Sequence, residues 1–239
     1  HATIRRQRQM CIRDRDHIVA STGELQNMME VLTKQQIDRY KKSRSASSPM
    51  IIISQDEAII NEKSRSKKVK TWRYKAKNVR DFAFTSSRKF IWDAMGVKLG
   101  DRTVMAMSYY PKEANPLYER YSTRAVAHTL NVYSKYTFDY PYPVAISVEA
   151  ANGMEYPMIC FNYGRPQKDG TYSERIKYGM ISVIIHEVGH NYFPMIVNSD
   201  ERQWTWMDEG LNSYLQFLTE QEWDRDYPSR RGPAKNIVN

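Results

Sequence analysis

Cysteine is scarce: Cys11 and Cys160 are the only two in 239 residues. Two thiols make neither the disulfide framework of a small stapled domain nor a cysteine-based metal site. They leave the redox compartment open. Cys160, between Ile159 and Phe161, reads as a small buried hydrophobe. Long apolar runs are missing too. No stretch reaches the roughly eighteen apolar residues that a membrane-spanning helix needs. The apolar content of 41% and the 17 tyrosines are nevertheless enough for a real core. The length suits one large domain or two small ones.

Acidic residues are outnumbered, giving a formal net charge of +9. Part of that excess sits in Arg5 to Arg15, RRQRQMCIRDR, where five Arg and one Asp carry +4. This stretch differs in character from the rest. It looks like an in-frame translation of a transposase adapter used in sequencing libraries, so residues 1–15 are expected to be a non-native leader and are set apart from fold reasoning. The native N-terminus, with any signal peptide, is then expected to be missing, and localisation is left open. The alternative is a basic arm for nucleic acid or a membrane surface. With the leader set aside, no nucleic-acid partner is expected.

The chemistry is concentrated in Ile181 to Asn212, ISVIIHEVGHNYFPMIVNSDERQWTWMDEGLN. His186-Glu187-Val188-Gly189-His190 is an H-E-x-x-H sequence on an apolar run. Residues four apart on a helix share a face, so His186 and His190 can aim two imidazoles at one metal. Glu187 then projects beside the metal, where a carboxylate can take a proton from water. Alone, the pattern is short enough to arise by chance on a solvated helix. Here Val183, Ile184, Ile185 and Val188 mark a buried helix, in which unpartnered polar groups are costly. A second helix, Trp206 to Glu220, brings Glu209 nineteen positions after His190. Three protein ligands with an open fourth position are the catalytic zinc pattern. One Zn2+ per chain is expected, held by His186, His190 and Glu209.

Along the chain, Ile18 to Ala20 reads as a short strand and Thr33 to Ser43 as a polar helix. Met50 to Ile53 is an apolar strand, followed by the capping box Ser54 and Glu57. Lys63 to Lys70 reads as a solvated basic turn. Thr71 to Tyr74 and Phe82 to Phe84 alternate as half-buried strands do. Arg102 to Tyr109 is a strand. Asn115 and Pro116 predict an N-cap and first helical residue, with the helix running to about Tyr136. His128 in that helix is expected to be a packed or surface residue. Val144 to Val148 is another strand. Gly153-Met154-Glu155-Tyr156 precedes the run Met158 to Phe161: Gly153 permits close backbone approach, and Glu155 is a carboxylate beside a cleft. The zinc helix is expected to begin near Ser173 or Glu174 and stop at Pro194. On the second helix Met207, Leu211, Tyr214, Leu215 and Leu218 predict an apolar stripe packed on the first.

At these residues the sequence resembles the gluzincin zinc aminopeptidases, the family of membrane alanyl aminopeptidase and leukotriene hydrolase. The family pattern is H-E-x-x-H, eighteen intervening residues, then Glu, as in His186, Glu187, His190 and Glu209. Its G-x-M-E-N exopeptidase motif resembles Gly153-Met154-Glu155-Tyr156 in place and in the Met-Glu pair. Tyr156 stands where Asn is usual, and Asp208-Glu209-Gly210 stands for Asn-Glu-Gly. The resemblance covers residues 100 to 220 best. It implies an α+β fold: a partial thermolysin-like zinc metallopeptidase catalytic domain over 93–239, preceded by the tail of a β-rich N-terminal domain over 16–92. The family's oxyanion-stabilising tyrosine is expected beyond Asn239, so that this stretch would bind metal better than it catalyses.

The implied function is a zinc-dependent metallopeptidase, an aminopeptidase that hydrolyses the N-terminal peptide bond by metal-activated water. Glu187 is the expected base. Gly153, Met154 and Glu155 are the expected substrate-binding residues, with Glu155 paired to the substrate's free ammonium group. Met158 to Phe161 is expected to offer a sheet edge to the peptide. The partners are peptides with a free N-terminus. Two alternatives stay open: a zinc endopeptidase with the same ligands, and a catalytically incomplete zinc-binding or interaction module.

Overall fold

The computed structural model describes residues 7–232, with 7–14 described by backbone alone. The expected leader, 1–15, falls almost wholly on positions whose side chains or backbone lie outside the described residues. The chain opens with β1 (Gln7–Asp14), β2 (Ile18–Ser21), β3 (Glu24–Leu25), α1 (Met28–Val31) and α2 (Lys34–Ser43). Next come β4 (Met50–Ile53), α3 (Gln55–Lys63), β5 (Val69–Ala76) and β6 (Phe84–Ser87). Two small sheets collect most of these strands, in the orders β1-β5-β3 and β2-β6. Local chemistry sets the helix starts. Thr33 with Gln36 caps α2, and Ser54 with Glu57 caps α3 by the predicted capping box. Strand β6 begins at Phe84, where the alternation of Phe82 to Phe84 ends rather than where it starts.

The remaining elements are β7 (Ile91–Leu99), β8 (Arg102–Tyr110), α4 (Leu117–Tyr136), β9 (Val144–Glu149), β10 (Met154–Tyr156), β11 (Ile159–Asn162), α5 (Glu174–Gly189) and α6 (Leu211–Trp223). Their six-stranded sheet has the order β10-β11-β9-β8-β7-β4. Strand β4 therefore forms one edge of it, although it precedes residue 93. Helix α4 starts one residue later than predicted: Pro116 takes the cap position, and the Asn115 amide instead donates to Gln55 and Glu119.

The sheet order corrects one expectation. Ile159–Asn162 is not an edge; β11 pairs with β9 on one side and β10 on the other. The free edge is β10, which carries Met154 and Glu155. The turn between them is tight enough that Met158 takes a left-handed backbone, φ +67°. That backbone is held in place: the Met158 N–H donates to Asn191 at 2.8 Å, just past α5. Helices α4 and α5 pack on the sheet and on each other, and α6 packs on both of them. The core is continuous from Val19 and Trp72 through the sheet to Ile184 and Ile185.

Candidate metal centre

Helix α5 carries His186 and Glu187, and its C-cap is His190. The apolar residues Ile181, Ile184, Ile185 and Val188 are buried, which anchors one face and fixes the direction of the other. Gly189 lies where α5 meets its neighbours: a Cβ there would come within 2.2 Å of Asn212 Oδ1 and 2.3 Å of the Tyr133 hydroxyl. Only glycine permits that approach without displacement.

The helix ends at Gly189, earlier than the predicted stop at Pro194. Proline lacks an N–H and crowds the carbonyl four residues back. The backbone accordingly widens into a π-type turn over Asn191–Ile196, with Met195 N donating to His190 O and Val197 N to Tyr192 O. Phe193, just before the proline, is extended at φ −134° and ψ 116°. Its carbonyl turns back and accepts from His190 Nδ1 at 2.9 Å. A carboxylate oxygen of Asp208 lies 2.9 Å from the same nitrogen. The proton of His190 therefore sits on Nδ1, and Nε2 is bare.

The same logic holds at His186. Its Nδ1 lies 2.9 Å from Gln216 Oε1, an acceptor, and 3.3 Å from Asn212 Nδ2, a donor; a proton on Nδ1 engages Gln216 and leaves Nε2 bare. The two Nε2 atoms face each other at 3.1 Å. Glu209 closes the group, with Oε2 3.2 Å from His186 Nε2 and Oε1 3.9 Å from His190 Nε2. Glu209 arrives on a second widened turn, Trp206–Gly210, which runs directly into α6. Such wide turns recur at functional sites because they re-aim side chains that a regular helix would point elsewhere. Two imidazole nitrogens and a carboxylate converging on one point form a donor set that fits Zn2+.

Glu187 does not join that triad. Its carboxyl instead clusters with Glu155 and His190, the ligand atoms of all three lying within 4.8 Å of one another. Burial pushes the Glu187 carboxyl up to about 8, helped by the neighbouring acids Glu155, Glu209 and Asp208. Burial pushes the His186 imidazole down to about 4, helped by His190 beside it. Asp208 is raised, chiefly by burial, against the pull of His190. These directions describe a metal-free cluster, and a bound cation favours the ionised carboxylates. Gly153 packs against the base: a Cβ there would stand 2.3 Å from Glu187 Oε1 and 3.6 Å from Val183. Met154 is partly exposed on the free sheet edge. Tyr156, in place of the usual Asn, sets its ring edge-on to Phe161.

Five of the predicted site residues, His186, Glu187, His190, Glu209 and Glu155, thus come together, with Gly153 against Glu187. His128 stays apart, with Nε2 2.9 Å from the Thr219 carbonyl and its ring edge-on to Trp223. Gln216, Asn212 and Asn191 were not singled out by sequence, and Asp208 only as part of Asp208-Glu209-Gly210. Their signal was present in part: Asn212, Gln216, Thr219 and Glu220 form a polar stripe at helical spacing. That stripe overturns the expected packing of α6. The buried face is Asn212, Leu215, Gln216, Thr219 and Glu220, whereas Leu211 and Tyr214 are exposed.

No protein-family profile and no curated protein matches the chain. Solved structures match it in fold. An M1 zinc metallopeptidase from Deinococcus radiodurans aligns at TM-score 0.54 and 14% identity, covering 92% of this chain and 41% of that one. A mutant of that metallopeptidase aligns at TM-score 0.56 and 14% identity, covering 92% and 42%. The mutant bound to a Tyr-Ser-Ala substrate aligns at 0.53 and 15% identity, covering 92% and 41%. The chain thus spans about two fifths of the length of these structures. At such low identity the likeness is one of fold, and over the part it spans this chain is folded like the M1 zinc metallopeptidases.

Proposed function

We propose that this chain is the zinc-binding part of a metallopeptidase, thermolysin-like over 93–239, that removes residues from the N-terminus of peptides. The observation that carries the reading is the convergence of His186 Nε2, His190 Nε2 and Glu209, with an acceptor beside each Nδ1. Those three residues would hold one Zn2+. When bound, zinc is a Lewis acid that polarises a carbonyl and acidifies water.

The residues around it divide the remaining work. Glu187 is the base: it takes a proton from the attacking water and gives it to the leaving amine. Its carboxyl lies beside His190 and Glu155, so the same group can take the proton and give it back. Glu155 binds the substrate's α-ammonium group. A cation there offsets the crowding of carboxyls that burial otherwise makes costly. The peptide lies along the free edge of β10, whose backbone N–H and C=O groups take it as an added strand. With the ammonium held at Glu155 and the base one contact away, only the first peptide bond reaches the reactive point.

The test uses purified protein. About one zinc per chain is expected, and His186→Ala, His190→Ala and Glu209→Ala should each lose it. Unchanged zinc content in all three would remove the assignment. Aminopeptidase character is read separately, in the full-length protein: an aminoacyl anilide with a free amine should be cleaved and its N-acetyl form should not. Cleavage of both would favour a zinc endopeptidase in which Glu155 is not engaged. Zinc binding with neither activity in the full-length protein would favour a non-catalytic zinc module.

A further inference from the structure

Behind His186, on the side away from Glu209, lies a buried polar relay. Gln216 Oε1 accepts from His186 Nδ1 at 2.9 Å, and Gln216 Nε2 donates to Glu220 Oε1 at 2.7 Å. The Ser182 hydroxyl donates to the same Glu220 oxygen at 2.8 Å. Gln216 Nε2 also points at the Ser182 carbonyl at 3.3 Å. Glu220 is 1% exposed, and its other oxygen, Oε2, is buried without a hydrogen-bond partner. No Lys or Arg pairs with it among the described residues. A carboxylate so placed is costly unless it serves a purpose.

The purpose follows from which groups can donate and which can accept. A glutamine amide offers an acceptor on one side and a donor on the other, and it can flip between them. Its orientation is set by its neighbours. Glu220 and the Ser182 carbonyl are both acceptors, so they hold the NH2 end and turn Oε1 toward His186. An acceptor at Nδ1 requires the proton on Nδ1 and leaves Nε2 bare for the metal. The alternative tautomer has a willing partner. Asn212 Nδ2, a donor, lies 3.3 Å from the same Nδ1, while it donates to the His186 carbonyl at 2.9 Å. His186 Nδ1 therefore sits between a donor and an acceptor, and the flip of one amide decides which of the two it engages.

Building on the zinc reading above, we infer that Glu220 is a positioning residue for the metal centre: through Gln216 it selects the His186 tautomer that can bind zinc. Two variants test this. Glu220→Gln supplies an NH2 that can face Gln216 and release its amide to flip. Zinc affinity, measured by competition with a chelator, should then fall by about 10- to 100-fold. The double variant Gln216→Glu with Glu220→Gln swaps donor and acceptor along the relay at constant charge. It again presents an acceptor to His186, and affinity should recover to within a few-fold of wild type. A loss of packing alone would not be repaired by that exchange. The second readout needs no metal: the imidazole 15N shifts of His186 in metal-free protein should report Nδ1–H in wild type and double variant, and a shift toward Nε2–H in Glu220→Gln. An unchanged tautomer in Glu220→Gln, or a double variant no better than the single one, overturns the relay. Failure of the wild type to bind zinc would instead remove the zinc reading, and the tautomer measurement would still judge the relay.

Discussion

At the scale of single residues, the site depends on atoms whose neighbours leave them one option. Glu187 lies beside the group of His186, His190 and Glu209 and clusters with Glu155 and His190, and the role proposed for it is proton transfer. In protein with turnover, Glu187→Gln should keep its zinc and lose activity by about 10²-fold or more. Loss of zinc along with activity would make Glu187 a ligand. Gly153 gives a finer test. The atom its new Cβ would strike is the far end of the Glu187 side chain, 2.3 Å away, which can move aside. Gly153→Ala should therefore leave the melting temperature and zinc content close to wild type while lowering kcat by about tenfold, because a base moved by an ångström is a poor base. A matching fall in melting temperature would show that Gly153 serves packing instead. Part of the geometry was legible in the sequence: helical spacing puts His186 and His190 on one face, and Glu209 was expected beside them. Gln216 and Asp208 were not legible as partners, since hydrogen bonds between helices depend on how those helices pack.

At the scale of elements, a polar seam runs between α4 and the sheet. Asp93 on β7 accepts from the Tyr110 hydroxyl at 2.6 Å and from Thr123 on α4. Thr123 contacts Ser108, which is 2.7 Å from Ser122; Ser122 donates to Ser147, and Asn162 donates to Ser147 in turn. The chain of contacts crosses β7, β8, β9 and β11. Burial pushes the Asp93 carboxyl up from 3.8 to about 7, with Glu119 adding and Arg124 opposing. The sign follows. Between about pH 4 and pH 7 the folded state holds a proton that the unfolded state has released, so this group's contribution to stability falls as pH rises through that window. Asp93→Asn carries no such proton. The melting temperature of wild type minus that of the variant should shrink from pH 4.5 to pH 7.5. A constant difference would mean that Asp93 is ionised throughout. Elements were read unevenly from sequence. Capping boxes and strand runs are local, and α2, α3, β8 and β9 appear where expected. The position of a strand within its sheet is not local. Ile159–Asn162 looked like an edge because β10 is only three residues long, and α6 looked apolar-side-in because nothing local shows that Asn212 and Gln216 turn inward to bond His186.

At the scale of the whole molecule, the N-terminal strands and the metal centre share one core. Strand β4 is part of the six-stranded sheet, although it lies between α2 and α3 in sequence. The Tyr40 ring of α2 sits 5.5 Å from Trp92 on β7. The Tyr142 hydroxyl donates to the Asn78 carbonyl at 2.9 Å, and Arg80 pairs with Glu201 at 2.8 Å, on the stretch between the two zinc-bearing segments. The surface ion pair contributes little, about 0–1 kcal/mol. The continuous apolar cluster carries the coupling, because Val19, Trp72, Ile91 and Ile184 cannot be exposed separately without opening it. A ligand that binds only the folded state stabilises by RT ln(1 + [L]/Kd), about 2.7 kcal/mol at a hundredfold excess over Kd. If the core is one cooperative unit, that stabilisation must reach residues far from the metal. Hydrogen exchange in the presence and absence of zinc measures it. The slowest amides of β5, including Trp72, should gain protection equal to that of the slowest amides of α5, and His190→Ala should abolish both gains. Protection confined to α5 and α6 would show that the strands around β5 open on their own, and that the shared core is contact without cooperativity.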